Sequence, residues 1–257
     1  MEEFFQTLDE LYQAGDLTGV EAYLKANLEG RPGPEKVTVL NELAGFYRGV
    51  SRYSESEAAF LEVLELMEAA GQKDSPAYAT VLVNLAGTCR LTGRLDEAAR
   101  LFQRALELLP REDYAYASAL NNLALVRQAQ GDSAGAGELL EQALEWVRSH
   151  GAPEHEIATS LNNLAALRLS QGDLEGADAF LTQALAIYDA MDEPNVHHAA
   201  ALSSKGVLCY RRGDLDGAQQ AFQRALELTE HFFGRNVEYE ATLRNLEAVR
   251  RAREEQG

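Results

Sequence analysis

Apolar residues recur along most of the chain with the period of a helix. Leu82, Leu85, Ala86 and Cys89 stand at i, i+3, i+4 and i+7, which places them on one helical face. Gly93 follows, and glycine ends a helix cheaply because it accepts the left-handed conformation needed just past the last turn. A second apolar face begins at once with Ala98, Leu101, Phe102, Ala105 and Leu106. The pattern predicts two helices joined by a tight turn.

The unit repeats. The run TSLNNLA from Thr159 to Ala165 returns as SALNNLA from Ser118 to Ala124, and more loosely as TVLVNLA from Thr80 to Ala86. Seven residues beyond each Ala comes a glycine: Gly93, Gly131 and Gly172. Leu43, Leu85, Leu123, Leu164 and Leu246 are equivalent, with Lys205 in the sixth place, so the spacings are 42, 38, 41, 41 and 41. A period near 40 is the signature of stacked units that share a continuous core. Helices are expected over residues 3–14 and 17–29, 34–49 and 54–70, 75–92 and 95–109, 113–130 and 133–149, 154–171 and 174–190, 195–212 and 215–231, with a single helix at 237–254.

Gly15-Asp16, Gly131-Asp132, Gly172-Asp173 and Gly213-Asp214 supply the turns, with the Asp expected to cap the second helix of each pair. Ala98, Ala136, Ala177 and Ala218 are small where two helices must approach closely. Ser51-Arg52 and Ser56 replace Gly-Asp and Ala in the second unit, and Lys205-Gly206 replaces Leu-Ala in the sixth.

The segment containing Asn84, Leu85, Ala86, Gly93, Ala98, Phe102, Ala105 and Pro110 resembles the tetratricopeptide repeat at each diagnostic position. The resemblance covers nearly the whole chain. The longer unit and the Leu-Asn-Asn-Leu-Ala run are similar to the long-helix subclass of kinesin light chains and bacterial regulators, and the stretch from Gly234 to Leu246 resembles a kinesin light chain linker and the helix after it. This implies an all-α, right-handed superhelical α-solenoid of about six antiparallel pairs plus a C-terminal capping helix, and a bacterial source. The expected repeats are 1–30, 34–71, 75–110, 112–151, 153–192 and 194–233, with the cap at 236–255, as one domain over 1–257.

The formal net charge is -18. That opposes nucleic acid, because an acidic surface repels phosphate, and it opposes anionic membranes. The N-terminus has neither a basic region nor an apolar run, and no stretch has the roughly 18 apolar residues of a membrane span. Isolated Cys89 and Cys209 read as reduced, buried thiols of a cytoplasmic protein.

The resemblance implies that the first helix of each pair lines a concave groove. Carried over, the lining is Thr80, Val83, Asn84, Gly87 and Arg90, then Ser118, Asn121, Asn122, Leu125 and Gln128. It continues with Thr159, Asn162, Asn163, Ala166 and Leu169, then Ala200, Ser203, Ser204, Val207 and Arg211. An Asn amide offers an acceptor and two donors, so a row of them suits the backbone of an extended peptide. The alternative is bonding between neighbouring repeats, which keeps buried amides paired. Arg90 and Arg211 would attract acidic groups; Arg127 and Arg168 suit the negative end of a helix. Gly87 and Ala166 would leave room for peptide side chains.

His150, His155, His197, His198 and His231 lie near pair boundaries, and no metal set, cofactor motif, P-loop or nucleophile elbow appears. The expectation is a non-enzymatic module that binds a protein or extended peptide. The alternatives are an assembly scaffold or self-associating array, and a peptide-sensing regulator without its own DNA-binding domain. The oligomeric state stays open.

Overall fold

The computed structural model describes residues 1–191, 195 and 197–255. Among them are thirteen helices and no strand. They are α1 (Glu2–Gln13), α2 (Leu17–Ala26), α3 (Gly33–Gly49), α4 (Tyr53–Ala69), α5 (Pro76–Leu91), α6 (Leu95–Leu108) and α7 (Tyr114–Ala129). Then come α8 (Ser133–Ser149), α9 (Glu154–Gln171), α10 (Leu174–Asp189), α11 (His198–Arg211), α12 (Leu215–Phe233) and α13 (Val237–Glu254). The expected boundary between the fifth and sixth repeats, 192–194, lies outside the described residues.

The chain divides into two compact units, residues 1–126 and 127–257, and the division falls inside α7. In the first unit α1 packs on α2, α3 on α4 and α5 on α6, while α2 meets α3 and α4 meets α5. In the second, α9 packs on α10 and α11 on α12; α8 meets α9, α10 meets α11, and α12 meets α13. Both units are therefore all-α arrays of helix pairs.

The periodic residues form the core. Val20, Leu24, Val39, Phe60, Ala98 and Phe102 are buried in the first unit, and Leu161, Leu164, Ala177, Leu181, Leu208, Phe222 and Leu246 in the second. The small residues mark close helix approaches: Ala98, Ala136, Ala177 and Ala218 have no exposed surface. Ser56 holds that place in α4 and is equally buried. Its hydroxyl hydrogen-bonds Thr88 of α5 at 3.1 Å, so the polar substitution is satisfied across a repeat boundary. Lys205 stands where the motif has Leu, and its ammonium leaves the core for Asp178 at 3.0 Å, which also takes Arg212 at 2.8 Å. Gly206 replaces the motif Ala because a Cβ there would lie 2.6 Å from the Phe222 ring.

The turns fall into two chemical types. Asp16, Asp132, Asp173 and Asp214 each cap a second helix by accepting the N–H of the third residue on, which is Gly19, Gly135, Gly176 or Gly217. The glycine lets the carboxylate lie close over it: a Cβ on Gly176 would be 2.2 Å from the Asp173 carboxylate, whereas Ser75 and Asn236 cap the N–H groups of Tyr78 and Tyr239. The motif is Asp-x-x-Gly. Arg52 and Arg94 stand in the capping place of α4 and α6, where no side-chain cap forms, and the third residue on is Glu55 or Glu97. Each arginine pairs with that glutamate and reaches back to the preceding repeat, Arg52 to Glu21 at 2.7 Å and Arg94 to Glu57 through two bonds of 2.8 Å. Local capping is exchanged for a bridge between repeats. Arg212 to Asp178 and Arg253 to Gln219 (2.7 Å) continue the series in the second unit. The acceptors Glu21, Glu57, Asp178 and Gln219 directly follow the buried Val20, Ser56, Ala177 and Ala218 of their second helices.

Candidate functional site

The residues assigned to the groove all lie on first helices, and their surroundings differ. Asn121 and Asn162 are buried, 8% and 7% exposed. The Oδ1 of Asn162 is enclosed and has no hydrogen-bond partner among the described residues. Asn84, Asn122 and Asn163, one residue further along, are half-buried. Asn84 donates to the Asn41 amide oxygen of the preceding repeat at 3.3 Å, and its backbone carbonyl accepts from Arg48 at 3.0 Å. Asn122 donates to the Ser118 carbonyl in its own helix at 2.9 Å. Ser203 shares a hydrogen bond with Thr242 of α13 at 3.2 Å, and Ser204 donates to the Ala200 carbonyl at 3.1 Å. Thr159 bonds the Tyr188 hydroxyl of α10 at 3.0 Å. Arg90 is half-buried at the end of α5; Arg211 is exposed and donates to the Leu169 carbonyl of α9.

Gly87 does not open onto empty space. A Cβ there would meet the Arg48 guanidinium at 3.0 Å, so this glycine makes room for an arginine from the neighbouring repeat. In α3 the place of Asn84 is taken by Glu42. Burial raises its carboxyl above the ordinary range, opposed by a hydrogen bond from Asn41 and reinforced by Asp9. The histidines sit at helix ends as well as outside them. His198 opens α11 with its ring stacked on Tyr188 at 5.1 Å, and burial lowers its pKa below the usual histidine value. Cys89 and Cys209 are free and buried, and burial pushes the Cys89 thiol up to about 11. Among the described residues no group of three or more His, Cys, Asp or Glu could hold a metal ion. No described helix is long and apolar enough to cross a membrane.

Charge divides by helix. α5, α7 and α11 contain no Asp or Glu, although the whole chain has 41. α4 alone carries Glu55, Glu57, Glu62, Glu65 and Glu68, and α8 carries Glu138, Glu141 and Glu145. The acidic excess thus sits largely on second helices, and three first helices present only neutral or basic groups. Composition alone hides this, because it emerges only when acids are counted helix by helix.

The sequence profile of the tetratricopeptide repeat matches residues 35–111, and that of the MalT-like TPR region matches residues 79–255. The chain belongs to the tetratricopeptide-repeat family. Solved TPR-like structures agree with the fold. BtubC (BKLC) from P. vanneervenii is 21% identical, with 86% of this chain and 90% of that one covered at a TM-score of 0.59. A Rap protein complexed with competence and sporulation factor is 17% identical over 90% and 78% of the chains, TM-score 0.64. A putative kinesin light chain of Podospora anserina with nearly identical TPR-like repeats is 20% identical over 78% and 97%, TM-score 0.54. At these identities the TPR likeness is one of fold. No curated protein sequence matches the chain.

Proposed function

We propose that this TPR chain is a cytoplasmic, non-enzymatic protein-interaction module whose first helices hold an extended peptide or protein tail. The observation that carries the reading is the absence of acidic residues from α5, α7 and α11 in a chain of net charge -18. Each helix kept free of carboxylates within an acidic molecule suits contact with acidic groups and repels less of what approaches it. The half-buried Asn84, Asn122, Asn163, Ser203 and Ser204 supply neutral hydrogen-bonding groups, and Arg90 and Arg211 supply charge. Asn121 and Asn162, set deeper, orient their neighbours and meet the peptide only where it displaces local contacts. The Rap protein solved with competence and sporulation factor is a relative in fold that holds a factor, which favours this reading over catalysis.

The test is a capture from the native host with the whole chain, followed by titration of the identified segment against the double variant Asn122→Ala, Asn163→Ala. Each lost hydrogen bond costs on the order of 1 kcal/mol, so the pair weakens binding by roughly 10- to 30-fold. Unchanged affinity in a folded double variant overturns the proposal.

The Asn84–Asn41 bond favours a second reading, in which the amides serve repeat-to-repeat packing and the chain is an assembly scaffold. A concentration-independent dimer by light scattering, with no captured peptide, selects it.

A further inference from the structure

One pair of places recurs at the joint between a first helix and the second helix before it. The first lies seven residues before the core position held by Leu85, Lys205 or Leu246. The second lies twelve residues after the small Ser56, Ala177 or Ala218 of the preceding helix. In α5 and α4 these places hold Tyr78 and Glu68, and the phenol donates to the carboxylate at 2.6 Å. In α13 and α12 they hold Tyr239 and Glu230, connected by Arg235, which bonds Glu230 at 2.8 Å and lies 5.5 Å from the Tyr239 ring centroid. In α11 and α10 they hold His198 and Asp189. The joint between the fifth and sixth repeats therefore has an imidazole where the other two have a phenol.

His198 does not make the bond that Tyr78 makes. Its ring stacks on Tyr188 of α10 at 5.1 Å, with the planes 16° apart, and its side chain is only 13% exposed. Nε2 is enclosed and has no hydrogen-bond partner among the described residues. The Asp189 carboxylate stands 3.6 Å from it and is 72% exposed. The Tyr188 hydroxyl shares a hydrogen bond with Thr159 of α9 at 3.0 Å, so the stack joins the first turn of α11 to α10 and, through Tyr188, to α9. The titratable and charged groups facing the imidazole are Tyr188 and Asp189 on α10 and Arg224 on α12. On α9, the His155 carbonyl and the Glu156 charge lie toward Tyr188, and His197 precedes the ring in the chain. Burial lowers the His198 pKa below the usual histidine value, opposed by Asp189 and reinforced by Arg224. The stabilisation given by the neutral ring is thus present above the unfolded value of about 6.5 and is lost as pH falls through the lower folded value.

We infer that His198 is a proton-released latch between the fifth and sixth repeats: neutral, it holds the first turn of α11 on α10, and protonated, it leaves the Tyr188 ring for the exposed Asp189 carboxylate. A charged imidazole is most costly where it is enclosed, and Asp189 offers it a charge-assisted bond beside water. The released turn carries Ala200 and leads into Ser203 and Ser204, so this stretch of α11 responds to acid in the range where histidine changes charge.

The experiment follows the full chain by NMR between about pH 7.5 and 5. It reads the His198 ring signals, the His198–Tyr188 contact, and the exchange of the Leu202, Ser203 and Ser204 amides, which bond carbonyls of the first turn. In the parent, the contact is lost as His198 titrates, and these amides exchange severalfold faster than the intrinsic rate change requires. His198→Tyr installs the residue of α5 and α13 and abolishes the acid opening while exchange at the upper pH is kept. His198→Phe, a ring with no proton to gain, does the same where tyrosine does not fit. Asp189→Asn moves the loss of the contact to lower pH, and His155→Gln and His197→Gln leave the opening in place. A contact that persists once His198 is protonated, an acid opening that survives in His198→Tyr or His198→Phe, or an unmoved midpoint in Asp189→Asn overturns the inference.

Discussion

Replacing Arg94 with Asp tests whether the two turn types are alternative solutions to one problem. Arg94 holds Glu57 through two bonds of 2.8 Å, with the side chains 36% and 30% exposed. A partly exposed bidentate pair belongs at the upper end of surface values, about 1 kcal/mol. Asp in its place would cap α6, a gain of about 1 kcal/mol where the geometry is free. Here the carboxylate cannot lie as it does over Gly176, where a Cβ would come within 2.2 Å, and must turn aside as the caps Ser75 and Asn236 do over Tyr78 and Tyr239. The new carboxylate also joins Glu57, Asp96 and Glu97. Arg94→Asp alone therefore destabilises by roughly 1–2 kcal/mol, a fall of about 2–8 °C in Tm for a chain of this size. Arg94→Asp with Glu97→Gly restores the cap, loses about 0.5–1 kcal/mol to glycine's flexibility, and returns to within about 1 kcal/mol of the parent. Repeat arrays need not unfold in one step, so Tm is read beside hydrogen exchange over residues 95–105. If Arg94→Asp is as stable as the parent, or if Glu97→Gly fails to rescue it, the exchange of cap for bridge is wrong.

Ser51 holds a left-handed φ of 61°, which is costly for a residue with a Cβ. Ser51→Gly should raise stability by roughly 0.5–1 kcal/mol in urea unfolding, and a decrease would count against strain at this turn. Gly206→Ala restores the motif residue yet should destabilise by about 1–3 kcal/mol, because its Cβ would meet Phe222 at 2.6 Å; an unchanged midpoint would show that the ring can move freely. The Arg212 guanidinium, with the Lys205 ammonium, holds the Asp178 carboxyl below the usual carboxylate range. Its stabilisation is thus present above the unfolded value of about 3.9 and is lost as pH falls through the lower folded value. Asp178→Asn should flatten the pH dependence of stability in that acid window and leave its shape above pH 5 unchanged.

The fold was legible because its signal is periodic and long-range sequence information adds little to it. The expected helices agree with the observed ones to within about two residues at most ends, even where Ser51, Ser56 or Lys205 break the motif. The misses have local causes. α2 stops at Ala26, short of the expected 29, where the Asn27 amide donates to the Tyr23 carbonyl and takes over the end of the helix. α12 runs on to Phe233 because Phe232 packs with Ala199 and Leu228, a contact no periodicity over 215–231 announces. Asp-x-x-Gly against Arg-x-x-Glu stood in the sequence as plainly as the core pattern. It went unread because the meaning of the glycine depends on the carboxylate three residues earlier.

The site was legible only as an inventory. Residue type fixes what an amide can donate and accept, but accessibility is decided by neighbours from another repeat. Gly87 shows the difficulty. A glycine on a presumed binding face reads as space for a ligand, yet the space is filled by Arg48, 39 positions earlier, whose guanidinium also takes the Asn84 carbonyl. Asn121 and Asn162 stand in the amide row with the other candidates, and they are its more deeply buried members. Adjacent positions on a helix differ by about 100°, so in a packed array one faces the neighbouring repeat while the next reaches its rim. A one-residue choice between Asn162 and Asn163 therefore separates a structural amide from an accessible one, and helix period alone cannot make it without the direction of the next helix.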